Sequence, residues 1–169
     1  MNNLVADSCS FILLYKSGLI KALSESCHVI IPKAVFKEVI NQETLQKYPD
    51  AKELEVMISQ GYMEVISDES QDRKSPVTLG RGEWAAIRLV QCMGEKAILV
   101  TDDGKAIKTC RYLNLPFIIS PKVATELYRL RRIDWTFAKT AIEKMRIEGR
   151  YSPDIIAEAL LRLEEIRNA

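Results

Sequence analysis

One histidine in 169 residues is the first thing this chain does without. That scarcity excludes a multi-histidine zinc site. Any Ser/His or Cys/His nucleophilic pair would rest on His28 alone, at the start of a strand-like run. Cysteine pairs are also missing: Cys9, Cys27, Cys92 and Cys110 are scattered with no CxxC spacing. Apolar neighbours mark them as buried free thiols. No apolar run approaches the ~18 residues of a membrane span, and the N-terminus lacks the basic and small-residue flanks of a signal peptide. The expected compartment is the cytoplasm. Charge of one sign is lacking too, since 24 basic against 23 acidic residues leave a net +1. Global basicity of the kind nucleic-acid-binding domains show is excluded, although a local patch is not. Repeats and low-complexity stretches are absent.

What the chain does contain is an apolar core's worth of residues, 47% hydrophobic against 28% charged. That is enough for one soluble domain. By elimination, hydrolytic chemistry must lean on carboxylates. The run Ile98-Leu-Val-Thr-Asp-Asp-Gly-Lys105 reads as a buried parallel strand ending in two acids. Asn3-Leu-Val-Ala-Asp7-Ser repeats that grammar near the start. Ligands of open α/β sheets bind outside the carboxyl ends of the strands. Asp7 and Asp102/Asp103 therefore form the nucleus of a candidate site.

Between these runs, strands and helices alternate. Expected strands are Asn2–Ala6, Val29–Ile31, Met63–Ile66, Ala97–Val100 and Pro116–Ile119. Expected helices are Ser8–Lys16, Leu19–Leu23, a stretch from Pro32 in its first turn through Ile40, and Asp50–Ser59 closed by Gly61. Further helices are Gly82–Met93, Lys105–Leu113, Ser120–Arg131 and Asp134–Ile147. A last one begins at an N-cap, Ser152-Pro153, and ends near Arg167. Residues 67–78 read as a polar, mobile loop. The alternation predicts an α/β fold, a mostly parallel five-stranded sheet with helices on both faces. Residues 1–133 form the α/β domain and 134–169 a helical extension packed on or beside it.

Two more acids join the candidates: Glu38 on the helix after the second strand, and Glu83 at the start of the helix before the fourth. Clustered carboxylates repel unless a cation neutralises them. Hard divalent ions take oxygen ligands, and a Mg²⁺ pair can activate water and stabilise a leaving oxygen in phosphodiester cleavage. Each acid also has a plainer explanation. Asp7 and Asp103 suit helix N-caps, Glu83 suits a helix's first turn, and Glu38 suits a solvated face. Basic residues gather between Lys105 and Arg150, eleven against four acidic, a local excess of +7. That asymmetry suits phosphate contact, with Lys105, Lys108 and Arg111 best placed beside the acids.

Gly80-Arg-Gly82-Glu-Trp-Ala85 fits a dinucleotide-binding glycine pattern with Asp102 ~20 residues on. The preceding Lys74-Ser-Pro-Val-Thr78 is a poor strand, and Glu83 would sit among amides meant for pyrophosphate. A phosphorylated receiver domain would need its acid pair after the first strand, not the fourth.

The sequence resembles a PIN-domain protein at Val5-Ala-Asp7-Ser-Cys-Ser-Phe-Ile12, Ile31-Pro-Lys-Ala-Val-Phe-Lys-Glu38, Leu79-Gly-Arg-Gly-Glu83-Trp-Ala-Ala-Ile87 and Leu99-Val-Thr-Asp-Asp-Gly-Lys105. The tail from Ala141 to Leu161 resembles the helical extension of a PIN subgroup of unknown function. The resemblance implies a three-layer sandwich with strand order 3-2-1-4-5. It also implies a Mg²⁺- or Mn²⁺-dependent endoribonuclease, akin to VapC-like toxins, dimeric and often paired with an antitoxin. Its acids fall on Asp7, Glu38, Glu83 and Asp102/Asp103 as catalytic residues, with Asp7, Glu83 and one or both of Asp102 and Asp103 as metal ligands. Ser8 and Thr101 fall at positions that orient those ligands or a bound water. Departures are Cys9 and Ser10, where a small residue and proline are usual, and the bulky Trp84. The competing reading is a non-catalytic PIN-like module that binds RNA or protein.

Overall fold

The computed structural model describes residues 3–67 and 78–169, so the expected loop over 67–78 lies almost wholly outside them. Among the described residues the order is β1 (Asn3–Ala6), α1 (Ser8–Lys16), α2 (Ile20–Ser24), β2 (His28–Pro32), α3 (Lys33–Val39), α4 (Gln42–Lys47), α5 (Pro49–Ser59) and β3 (Glu64–Ile66). Then follow α6 (Arg81–Met93), β4 (Ala97–Val100), α7 (Gly104–Tyr112), β5 (Phe117–Ile118), α8 (Ser120–Arg129), α9 (Trp135–Glu148) and α10 (Pro153–Asn168). All strand pairings are parallel, in the order β3-β2-β1-β4-β5. The first strand made is thus the central one: Asn3 lies opposite both His28 and Ala97.

Side chains alternate across a strand, and here both faces are apolar because both are covered. Leu4, Ala6, Val29, Ile31 and Val100 point into a core shared with Phe11 and Leu14 of α1, Leu127 of α8, Ile142 and Met145 of α9, and Ile156 and Leu163 of α10. Val5, Ile30 and Leu99 face Ala86, Ile87 and Val90 of α6 and Ala106 and Cys110 of α7. Burying a side chain the size of Ile142 or Met145 is worth about 1.5–3 kcal/mol. The helices after residue 134 are therefore built into the larger core. No helix among the described residues is long and apolar enough to cross a membrane.

Several local expectations differ from the structure. Helix α4 was not anticipated; Asn41 starts it by accepting from the N–H groups of Glu43 and Thr44, both at 3.0 Å. Pro32 ends β2 and does not open the first turn of α3. Ser152 makes no side-chain cap hydrogen bond, and Pro153 starts α10 unaided. The cysteines are not uniformly buried either: Cys9 and Cys92 are exposed, Cys27 is half-buried and only Cys110 is fully enclosed. Both exposed thiols lie on the polar flanks of helices whose apolar stripes face inward. Gly61 takes φ +82° just past α5, as a helix-ending glycine should.

Candidate functional site

In a parallel sheet the strand carboxyl ends and the following helix N-termini share one edge. Asp7 follows β1 and Asp102 and Asp103 follow β4, with Ala6 and Val100 directly paired. The N-termini of α1, α6, α7 and α8 meet this edge, and the candidate acids all serve them. His28 stands at the opposite edge, where its Nε2 lies 2.9 Å from Glu64.

Asp7 is the N-cap of α1. Its Oδ1 accepts from the Ser10 N–H at 2.9 Å. The side chain is almost wholly enclosed, and Oδ2 has no hydrogen-bond partner. Burial pushes the carboxyl from its ordinary 3.8 up to about 6; the Thr101 and Ser10 groups nearby pull it back in part, and the charge of Asp102 adds to the rise.

The two acids after β4 turn opposite ways. Asp103 is the N-cap of α7, its Oδ1 accepting from Lys105 N and Ala106 N, each at 2.8 Å. The buried Thr101 hydroxyl accepts from Asp103 N at 3.3 Å and fixes that turn. Asp102 instead gathers three donors. Its Oδ1 accepts from Ser120 N at 2.8 Å, and its Oδ2 from Ser120 Oγ at 2.5 Å and Ser10 Oγ at 2.8 Å. A carboxylate from β4 thus caps α8 from outside the helix.

Glu38 brackets two helices. Its Oε1 accepts from Gly82 N at 2.8 Å, and its Oε2 accepts from the Ser8 hydroxyl. The absence of a side chain at Gly82 gives this bracket its room, because a Cβ there would displace the Glu38 carboxylate and the Ser8 Oγ. Glu83 reaches back to Gly80 N at 2.9 Å, one half of a capping box. Carboxylates therefore occupy the α6 N-terminal amides that a dinucleotide's pyrophosphate would need.

Cys9 shows how closely the set is gathered. Its thiol is pushed up by burial and then by the charges of Asp7, Glu83, Asp103 and Asp102. The charges of those four acids all reach the Cys9 sulfur, and Glu38 stands on the same edge through its bond from the Ser8 hydroxyl. The acids nevertheless do not close into a cage: among the described residues no three of His, Cys, Asp and Glu could hold one ion together. The donors are all oxygen, and a buried, unpartnered one lies among them. That chemistry fits a hard divalent cation.

On the flank, Lys105, Lys108 and Arg111 are exposed on α7, with the Arg111 guanidinium 5.8 Å from the Phe117 ring. Within the basic segment, Arg129 pairs with Glu126 and Arg146 with Glu143, both at 2.7 Å, so part of the local excess is offset. Three neighbours of the acids were missed in the sequence. Ser10 has a signal, three residues after an N-cap aspartate. Ser120 heads an expected helix, but nothing in its sequence context shows that its N–H and hydroxyl serve Asp102. Tyr151, whose phenol is pushed up by burial and then by the charge of Asp102, has none.

A family model described as a PIN domain matches residues 3–165. No curated protein matches the chain.

Proposed function

This chain belongs to the PIN-domain family, and from that premise we propose that it is a divalent-metal-dependent endoribonuclease. The observation that carries this reading is Asp7 Oδ2, a buried carboxylate oxygen without a hydrogen-bond partner, on the acid-lined edge. A buried ionised group without a partner is costly, and a bound cation is the partner that chemistry suggests. Asp7 would hold Mg²⁺ or Mn²⁺, and Glu83 and Asp103 would close on the ion from the same edge, because among the described residues no three acids already stand around one point. Each has one oxygen committed to a helix N-terminus in the contacts above, and the other can serve a metal. Asp102, with three donors already, is support for this set and not a ligand. Bound there, the cation would supply an activated water and neutralise charge developing on the scissile phosphate.

The chain's own residues do the rest. The Ser10 N–H and the α1 N-terminus hold Asp7 in one rotamer. The first-turn amides of α7 fix Asp103. Lys105 and Lys108, one turn apart and exposed beside Asp103, suit successive phosphates of a single strand. The biological setting we propose is that of a cytoplasmic toxin, acting as a homodimer and held in check by an antitoxin protein.

A second reading has its own observation. Every one of these carboxylates, Asp7 included, serves a helix N-terminus, and among the described residues no three acids stand ready to hold one ion, as in a binding module that does not cut. Incubation of a mixed single-stranded RNA pool with Mg²⁺ or Mn²⁺, against chelator and Asp7→Asn controls, separates the two. Metal-dependent cleavage lost in the variant supports the nuclease. Cleavage retained by Asp7→Asn sinks the site assignment, and RNA binding without cleavage by wild type favours the module.

A further inference from the structure

We infer that the outer face of α7 is a track for single-stranded RNA, on which Lys105 and Lys108 hold phosphates and the Tyr112 ring stacks on a base. The inference takes its partner from the nuclease reading given above and adds a base contact to it. Residues three and four apart on a helix are neighbours. Lys105, Lys108 and Tyr112 therefore form one line along α7, starting from the turn that Asp103 caps. At about 1.5 Å of rise per residue, Tyr112 stands roughly 13 Å further along the axis than Asp103. The opposite face of the helix is fixed, with Ala106 and Cys110 fully enclosed in the smaller core. The Arg111 guanidinium, 5.8 Å from the Phe117 ring, ties the end of α7 to β5. A line carried on so firmly seated a helix needs little further ordering to bind.

Tyr112 is 88% exposed, the most exposed of the large apolar side chains among the described residues, and it joins neither core. A lone exposed ring needs no explanation. This one closes a line of cations that begins beside the acids. The chain has no acid from Gly104 to Thr125. Neither Lys105 nor Lys108 forms an ion pair among the described residues, whereas Arg129 and Arg146 are paired within their own helices. Unpaired cations beside an open ring are the combination that holds single strands, because cations follow the backbone and an aromatic face stacks on any base. A duplex keeps its base faces inside its own stack and would leave the ring idle. An acidic peptide would satisfy the lysines but offers the ring no flat partner. Single-stranded RNA uses both.

The test is fluorescence anisotropy of a labelled single-stranded RNA of about ten nucleotides, titrated with the full-length protein in chelator so that no strand is cut. Tyr112→Ala should weaken binding about tenfold without altering Tm or the salt dependence, and Tyr112→Phe should bind like wild type. Lys105→Ala and Lys108→Ala should each flatten the slope of log affinity against log salt by about 0.7. On a strand stripped of its bases, and on duplex RNA, wild type and Tyr112→Ala should bind alike. The inference is wrong if Tyr112→Ala binds the intact strand like wild type, if no single strand binds, or if polyglutamate binds with the same dependence on Tyr112. Cleavage by Asp7→Asn is scored separately. Its loss leaves the metal site standing even where Tyr112→Ala sinks this inference. Its retention removes that site and leaves a Tyr112-dependent RNA track in place.

Discussion

The ends of β1 and β4 lie side by side, and each strand delivers an acid to the same edge of the sheet. The structure treats the two acids in opposite ways. Asp102 receives three donors from α1 and α8. Asp7, one strand over, receives one and buries its second oxygen with nothing. Asp102 is thus a brace, stabilised by what surrounds it, whereas Asp7 is held at a cost in free energy. The lesson is that equivalent positions in sequence grammar can carry opposite physical roles. The contrast lies in the donors that distant segments bring to each.

The comparison breaks most visibly if Asp102 is removed. Asp102→Ala strips charge-assisted bonds from Ser10 and Ser120 and should destabilise the fold by about 3 kcal/mol, seen in urea unfolding. An unchanged unfolding midpoint would show that Asp102 is no brace. The opposite sign is expected at Asp7. In the metal-free fold its carboxyl takes up a proton near pH 6, against 3.8 as its ordinary value. Folding therefore favours the protonated form, so stability should fall as pH rises from about 4 to about 6 and then level off. Asp7→Asn removes that loss and should stabilise the metal-free protein at pH 7.5 by about 2 kcal/mol. A flat wild-type profile across that window would overturn the account of Asp7. The smallest effect sharpens the contrast from outside the strand ends. Gly82→Ala drives a methyl into the Glu38 bracket and should cost about 1–2 kcal/mol in thermal unfolding. Unaltered stability would mean that α3 and α6 are not held at that point.

Much of this was legible before the structure. Apolar runs closed by Asp7 and by Asp102/Asp103 located the strands, and their place on one edge followed from parallel geometry. The strand order rested on the resemblance. Helix α4 escaped because Gln42-Glu-Thr-Leu-Gln-Lys47 has a single apolar residue and no stripe. The cap readings of Asp7 and Asp103 describe real contacts, and those contacts coexist with four acid charges that reach the Cys9 sulfur. What the sequence could not display is which of two neighbouring aspartates has its oxygens taken. That depends on Ser10, on α1, and on Ser120, brought in by α8. Pairings across such separations leave no periodic trace.

The placement of β1 also bears on how the protein comes into being. Its N-terminal strand is synthesised first, yet it finishes in the middle of the sheet, with Asn3 against Ala97. Such long-range pairing closes slowly, because loop entropy must be overcome before the contact returns anything. On the ribosome Asp7 would stand without β4 beside it until residue 100 had emerged, and Asp102 would lack its Ser120 donors until α8 followed. The acid-lined edge is therefore completed only once α8 is in place. A copy truncated before α8 would lack it.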